Sequence, residues 1–271
     1  MMFIGVNGAP EGEWPEKPYT RIDVTPVIRE KPWLAIDRKG FSVNVPPMKY
    51  NSKGPDWLDG IESERTIPVK KFYVASAGND NAVSINEALK KGKNIIFTPG
   101  RYLLNESLKI TRPNTVVMGT GLATLIPQNG NSAVDISDVD GVIVCGLTID
   151  AGEKRSEVLF NVGENGSEKS HRNDPVCLYD MFFRVGGPAP GSAECCMVIN
   201  SHDVIVDHIW LWRADHGNGV GWDRNRGASG LIVNGDNVTI YGLFNEHFQE
   251  YQTIWNGNNG RVFFYQSEMP Y

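Results

Sequence analysis

The sequence predicts an all-β fold, a right-handed parallel β-helix, and three observations support this prediction. One phrase recurs: an apolar strand, an Asn, a polar turn, a Val and a second apolar run. Apolar residues within the phrase alternate with period two, which is the period of strands and not of helices. The copies lie a few tens of residues apart, as in stacked solenoids. A right-handed coil is expected because crossovers between parallel strands have that hand.

The repeat also predicts where each coil bends. Four copies align on a Val taken as position 0, namely Val142, Val204, Val238 and Val262. Apolar residues stand at 0 and +2 and then at +5 and +7, so the alternation slips by one residue between two strands. Gly146 and Gly242 lie at this slip, where a corner needs a permissive backbone. An equivalent turn holds Asn200, Asn234 and Asn256, where Asn tolerates left-handed backbone angles and can bond its neighbours.

Composition and periodicity divide the chain into two regions. Residues 71–271 are assigned to the β-helix, with a short amphipathic helix at 84–90 that caps the open end of its core. Residues 1–70 are rich in Pro, contain Trp14, Trp33 and Trp57, and show little periodicity. They are expected to form an extended N-terminal arm. Because the last residues fall within a strand pattern, the chain is expected to be truncated at its C-terminus and to belong to a longer parent protein.

Composition narrows the classes of function. The net charge is −6 and no Lys/Arg cluster is present, which argues against a nucleic-acid partner. No run of eighteen apolar residues occurs, so no membrane association is expected. The first residues lack a basic head and a long apolar stretch, so no signal peptide is visible. The four cysteines lack zinc spacing and are expected to be buried free thiols: Cys145, Cys177, Cys195 and Cys196.

A candidate site follows from the outward positions of the coil. If +5 and +7 point inward, +6 and +8 point outward; +6 holds Thr148, Trp210, Phe244 and Glu268, and +8 holds Asp150, Trp212, Glu246 and Pro270. Aromatic rings stack on sugars, and paired carboxylates catalyse glycosidic acid/base chemistry. Glu246 and Glu268 are therefore the predicted catalytic pair, two residues out of step and about 7–8 Å apart in backbone position. The alternative is that both are solvated surface acids.

Further candidates lie in the loop after Trp212. Asp215 is a second catalytic candidate, with Asp223 beyond it, although a turn-forming Asp is the simpler interpretation. The expected substrate-binding residues are Trp210, Trp212, Trp222 and His247, whereas Trp255 aligns with inward Val233 and is expected in the core. His216 and His247 lack the spacing of a metal motif, so no metal and no cofactor are predicted.

Several stretches resemble a known group of proteins. Residues 95–102 (IIFTPGRY) resemble the opening coil of pectate-lyase-superfamily β-helices. Residues 210–217 (WLWRADHG), 230–235 (GLIVNG) and 241–247 (YGLFNEH) are similar to large secreted bacterial members of that superfamily. These in turn resemble the family-55 glycoside hydrolases, which are exo-acting β-1,3-glucanases with two tandem β-helices and a cleft between them.

The resemblance covers roughly residues 70–271 and implies a glycoside hydrolase acting on a β-glucan or related polysaccharide. It also implies an extracellular parent protein with further domains. Only one β-helix is present here, so half of such a cleft is expected to be absent. Two alternatives remain: a non-catalytic glycan-binding or scaffold β-helix, and a polysaccharide lyase, for which Arg213 and Arg224 near Asp215 are the relevant residues.

Overall fold

The computed structural model describes residues 1–55 and 63–270, so Trp57 lies outside the described residues. The chain forms two compact units that meet in sequence at Lys71 and Phe72. The strands of the first unit are β1 (Met2–Ile4), β2 (Thr20–Ile22), β3 (Thr25–Arg29), β4 (Trp33–Asp37), β5 (Gly40–Val45), β6 (Met48–Ser52) and β7 (Arg65–Pro68), followed by a 3-10 turn, Val69–Lys71.

The strands of the first unit form small sheets. Strands β1 and β2 pair in parallel, β3 pairs with β6 in antiparallel fashion, and β4, β5 and β7 form a three-stranded antiparallel sheet. Val43 and Val45 on β5 are fully buried. The description of residues 1–70 as an arm stays a prediction.

The second unit contains one helix, α1 (Ala82–Lys90), and the remaining strands of the described chain. These are β8 (Phe72–Ala75), β9 (Asn94–Phe97), β10 (Arg101–Leu104), β11 (Leu108–Ile110), β12 (Val116–Pro127), β13 (Val134–Ile136), β14 (Ile143–Asp150), β15 (Ser156–Val162), β16 (Cys177–Val185), β17 (Ala193–Ile199), β18 (Ile205–Arg213), β19 (Gly227–Val233), β20 (Thr239–Glu246), β21 (Tyr251–Trp255) and β22 (Arg261–Glu268).

These strands build a parallel β-helix, which confirms the predicted fold. One parallel sheet has the order β22-β20-β18-β16-β14-β12-β9-β8, with β10 also paired to β12. The other has the order β11-β13-β15-β17-β19-β21. Strands that alternate along the chain therefore stack in two separate sheets. Strands β17 and β18, which follow each other directly, do not form a hairpin; each pairs in parallel with the coils before and after it.

The observed register corrects the predicted alignment at two coils. Val142, Val204 and Val238 do stack at position 0, but the next coil places Gly260 there, and Val262 pairs with Ile240 at +2. A Cβ at Gly260 would collide with the Trp255 ring, so that indole fills the space of the expected Val. The structure also contains a coil absent from the predicted alignment, β16, with Val176 at position 0.

The corner at position +4 is confirmed, and it is left-handed in each of the five coils from β14 to β22. The φ angles are 68° for Gly146, 49° for Asp180, 62° for His208, 71° for Gly242 and 68° for Phe264. The left-handed region is favourable for glycine and unfavourable for most other residues. Two coils therefore have the favoured glycine at this corner, and the other three have Asp180, His208 and Phe264.

The Asn turn is confirmed as a stack in which each Asn side chain bonds its neighbours, as expected, although the left-handed backbone is not used. Asn256 Nδ2 donates to Asn234 Oδ1, and Asn234 Nδ2 donates to Asn200 Oδ1, both at 2.8 Å. None of the three has a left-handed backbone. The amides are favoured because each side chain carries a donor and an acceptor, and so can bond the coils on both sides.

The core runs through the coils and is closed by the helix. Phe160 and Phe183 are fully buried and meet edge to face, with ring centroids 6.0 Å apart. Ile85 and Leu89 of α1 belong to the same hydrophobic cluster, so the helix acts as the predicted cap. The helix begins at Ala82 because the Asn81 side chain accepts hydrogen bonds from the first-turn amides.

The four cysteines are buried thiols outside any disulfide, as expected. Burial raises the pKa of the Cys195 thiol to about 12, so this thiol is not a nucleophile near neutral pH. Within the described ranges, no helix has the length and apolar character needed to cross a membrane.

A buried histidine joins two loops of the β-helix. His171 Nδ1 lies 2.7 Å from Asp140 Oδ1, and His171 Nε2 lies 2.8 Å from Asp138 Oδ1. Burial raises the pKa of Asp138, but hydrogen bonds from Ser201 and His171 outweigh it and the net pKa is lowered. The pKa of Asp140 is also lowered, mainly by its hydrogen bond from Lys169 and in part by His171. This network links residues 138–140 to residues 169–171 and to Ser201.

Replacing His171 by Leu is expected to lower the free energy of unfolding by about 1–3 kcal/mol at neutral pH, because two carboxylates lose a buried partner. Both carboxyls have folded pKa values below their unfolded values, so their stabilisation is present above pH ~4 and is lost as pH falls through the folded values. Urea unfolding at pH 7 and pH 3 measures this. The variant should show a smaller acid-induced loss than the native chain, and Lys169→Met should change stability by less than about 1 kcal/mol. An unchanged stability of His171→Leu at pH 7 would refute this account.

Candidate functional site

The candidate site lies on the outer face of β18, β20 and β22. Trp210 and Phe244 occupy +6, and Trp212 and Glu246 occupy +8, as predicted. Glu268 also occupies +8, directly beside Glu246. The prediction that the two carboxylates are two residues out of step is therefore wrong, because it used Val262 as position 0. Adjacent in-register strands place their backbones about 4.8 Å apart, closer than expected.

Glu246 is held by an indole of the preceding coil. Trp210 Nε1 donates a hydrogen bond to Glu246 Oε2 at 2.9 Å. Trp210, Phe244 and Glu246 are half-buried, so the outward phase predicted for these positions is confirmed. This hydrogen bond holds the Glu246 carboxylate beside the Trp210 indole.

Trp212 departs from the prediction of an exposed sugar platform. Its side chain is only 8% exposed, although it points away from the core like Trp210. The Trp210 ring stacks on it at 5.2 Å, and the His216 ring lies 5.1 Å away on a tilt. The main chain of Gly187 packs against its six-membered ring. Because a loop covers it, Trp212 supports Trp210 instead of presenting its own face.

His247 also differs from the expected surface contact. The residue is 3% exposed, and its Nδ1 lies 2.8 Å from the Met269 carbonyl oxygen. Its Nε2 lies 3.7 Å from Glu268 Oε2. The Glu268 side chain remains 48% exposed and accepts a hydrogen bond from Gln266. His247 therefore lies beneath the surface and helps to position the Glu268 carboxylate.

Arg213 anchors the loop that carries Trp222. The guanidinium is buried and donates to the carbonyl oxygens of Asn225, His247, Gly221 and Trp222. Burial lowers the pKa of Arg213. Its charge also lies 5.5 Å from the centroid of the Trp222 ring, which is 52% exposed. Trp222 is thus a supported, accessible aromatic surface, as predicted.

Asp215 and His216 form a pair at the start of the same loop. His216 Nδ1 lies 2.7 Å from Asp215 Oδ1, and the His216 side chain is 79% exposed. Burial raises the pKa of Asp215. The hydrogen bond from His216 and the charges of His216 and His247 outweigh this effect, so the net pKa lies below its usual value. An ionised carboxylate of this kind suits a base and not a proton donor.

The +8 column continues toward the N-terminal coils with the charged residues Arg184 and Asp150. Arg184 pairs with Asp150 through two hydrogen bonds of 2.6 and 3.0 Å. Beyond this pair lies a cavity of about 570 Å³ lined by Arg101, Gln128, Asp150, Lys154 and others. Asp150 was predicted at +8, but Arg184 was not, because the coil of β16 is absent from the predicted alignment.

The part of the chain that the structure describes brings no three His, Cys, Asp or Glu side chains together in a form that would hold a metal ion.

Indoles and carboxylates thus lie together on one outer face of a parallel β-helix. Residues 72–268 match the family described as the LAM55 pectate lyase-like domain, and the chain belongs to this family. The resemblance noted in the sequence is thereby confirmed, together with the right-handed parallel β-helix as the fold.

Characterised relatives agree with this assignment. The chain is 47% identical over 271 residues to an exo-beta-1,3-glucanase of Streptomyces sp. (strain SirexAA-E / ActE), covering 100% of this chain and 45% of the relative. It matches the structure of sacteLam55A from Streptomyces sp. SirexAA-E with a TM-score of 0.97 and 47% identity. That match covers 100% of this chain and 49% of the other. A variant of sacteLam55A in complex with glucose matches equally well, with a TM-score of 0.97. The chain spans about half the length of these relatives.

Proposed function

We propose that this chain is the β-helix unit of a glycoside hydrolase that acts on β-1,3-glucan. The observation that carries the proposal is the in-register pair Glu246 and Glu268 beside the Trp210 indole. The 47% identity to an exo-beta-1,3-glucanase over the whole chain supports the choice of substrate.

The two carboxylates meet the needs of glycosidic bond cleavage. One carboxyl must protonate the departing oxygen while the other acts as base or nucleophile, and their settings must differ. Glu246 is half-buried and fixed by Trp210, whereas Glu268 accepts a hydrogen bond from Gln266 and lies 3.7 Å from His247 Nε2. Asp215, on the neighbouring loop, is the alternative base.

The aromatic surroundings suit a neutral sugar. Trp210 and Trp222 offer indole faces to the C–H surfaces of a pyranose ring, and Trp212 and Arg213 support them from below. Arg213 is committed to carbonyl oxygens, which leaves it unsuited to bind the acidic sugar of a lyase substrate. Of the two arginines relevant to a lyase, only Arg224 is left exposed, so we favour the hydrolase. Because a polysaccharide is too large to enter a cell, the parent protein is proposed to act outside it, with its further domains completing the cleft.

Incubation with a soluble β-1,3-glucan, with a β-1,4-glucan as control, tests the proposal. We expect release of reducing sugar from the β-1,3-glucan alone, and none from the double variant Glu246→Gln/Glu268→Gln. The Streptomyces relative serves as the positive control. Binding of the glucan without hydrolysis, by both the chain and a polypeptide of the relative's length, would contradict the catalytic proposal.

That outcome would support a second candidate, a glycan-binding unit without catalytic residues of its own. The observation in its favour is that this chain spans only about half of the relatives' length. In that case Trp210 and Trp222 would still be needed for binding, while the carboxylates would not.

A further inference from the structure

A row of aromatic residues lies on the outer surface at the corner position +4 and the neighbouring position +6 of the coils. We propose that Phe182, His208, Phe244 and Phe264, here named the corner stripe, bind an uncharged β-glucan chain and extend the proposed site. The identity of the ligand rests on the proposed function. The evidence that the stripe is a binding surface comes from its own residues.

The stripe is an ordered array. The His208 ring meets Phe182 edge to face at 5.3 Å and Phe244 edge to face at 6.2 Å, and Phe244 contacts Phe264 at 5.5 Å. These residues come from four successive coils, β16, β18, β20 and β22, so the stripe runs along the axis of the solenoid. The His208 side chain is 50% exposed, whereas Phe182 and Phe244 are half-buried. A partly exposed aromatic row of this kind suits a linear polymer of sugar rings.

His208 is held in a fixed orientation. Its Nδ1 lies 2.7 Å from Asp180 Oδ1, and Asp180 occupies the same corner position in the preceding coil. With Nδ1 engaged by this carboxylate, Nε2 on the opposite side of the ring is the nitrogen available to a ligand. A sugar hydroxyl is a suitable partner, because it can donate or accept.

The backbone gives an independent reason to look for a function here. Asp180, His208 and Phe264 adopt left-handed angles at a corner where two other coils use Gly146 and Gly242. A bulky residue at such an angle is strained, and strain of this kind concentrates at functional positions. Glycine would satisfy the fold alone, so the side chains of His208 and Phe264 serve something other than the corner.

The charges at the stripe indicate which kind of polymer it can bind. Positions +4 and +6 of the coils from β14 to β22 hold no Lys or Arg; they are Gly146, Thr148, Asp180, Phe182, His208, Trp210, Gly242, Phe244, Phe264 and Gln266. An anionic polymer would have no counter-charge in this set. The stripe also shares Phe244 with the face that carries Trp210 and Glu246, so one glucan chain can lie across both.

The test makes use of the left-handed backbone at the corner, which glycine adopts readily. His208→Gly removes the imidazole and supplies the residue that two other coils already use at this position. We expect an unchanged or higher melting temperature and an affinity for soluble β-1,3-glucan reduced about tenfold, measured by calorimetry on the 271-residue chain. Leu122→Gly is the matched control, since Leu122 is also left-handed, with φ 62°, and lies outside the stripe. It should bind like the native chain. Phe244→Leu, which keeps apolar volume and removes the ring, should weaken binding to a similar degree.

Unchanged affinity in both His208→Gly and Phe244→Leu would overturn the proposal. So would a melting temperature lowered by several degrees in His208→Gly together with lost binding, since the imidazole would then be structural. Hydrolysis of short β-1,3-gluco-oligosaccharides separates this inference from the proposed function. Binding that depends on His208 without any hydrolysis would sustain the stripe and contradict the hydrolase. Hydrolysis with binding that does not depend on His208 would do the reverse.

Discussion

Replacing Glu246 by Gln is expected to lower the rate of β-1,3-glucan hydrolysis by about 10³-fold while glucan affinity stays within a few fold. Glutamine keeps the shape of the side chain and accepts the hydrogen bond from Trp210 Nε1, so the platform survives. It has no proton to give or take, so the acid/base step is lost. The Glu268→Gln variant should show a similar loss because the two carboxylates act as a pair on adjacent strands.

The measurement is the initial rate of sugar release, made on this chain and on the longer Streptomyces relative substituted at the aligned position. Glu250→Gln is the matched control, because Glu250 is exposed and lies beyond the end of β20. It should retain native activity. If both Glu246→Gln and Glu268→Gln keep their rates, the catalytic assignment moves to Asp215 and Asp223.

Replacing Phe183 by Ala is expected to lower the free energy of unfolding by about 3–5 kcal/mol. The ring is fully buried at +7, inside the coil, and meets Phe160 edge to face. Its removal opens a cavity between coils whose strands are fixed by hydrogen bonds on both sides, so the site cannot easily collapse. Stacked coils depend on their neighbours, so the loss should extend beyond one coil.

Urea unfolding followed by circular dichroism measures this effect. Leu103→Ala is the control, since Leu103 is 54% exposed and should cost less than about 1 kcal/mol. A loss below about 1 kcal/mol for Phe183→Ala would show that the core assigned to +5 and +7 is not what stabilises the solenoid.

The fold was predictable because it depends on local periodicity. Alternation of apolar residues, the slip at Gly146 and Gly242, and the recurring Asn specify strands, corner and turn without knowledge of distant contacts. The register of the last coil was not predictable in the same way. The side chain of Trp255 fills the space at Gly260, so position 0 of this coil is Gly260 and Val262 lies at +2, which the Val pattern alone does not indicate.

The site was predicted in part for the same reason. The outward positions of Trp210, Phe244 and Glu246 follow from the corner and were correct. The burial of Trp212 and His247 depends on Gly187, His216 and Met269, which come from other segments. Asp180 and His208 were missed because Gly was the residue expected at the corner. Alignment of residues 176–185 with 204–213 would have found them, since both stretches carry a polar residue at +4.

The central claim is that the outer face of β18, β20 and β22 binds glucan against the Glu246–Glu268 pair. A crystal structure of the chain with a β-1,3-gluco-oligosaccharide tests it most directly. The account predicts sugar rings over Trp210, with a glycosidic oxygen within hydrogen-bond distance of Glu246 or Glu268. An oligosaccharide bound elsewhere, with this face empty, would contradict it.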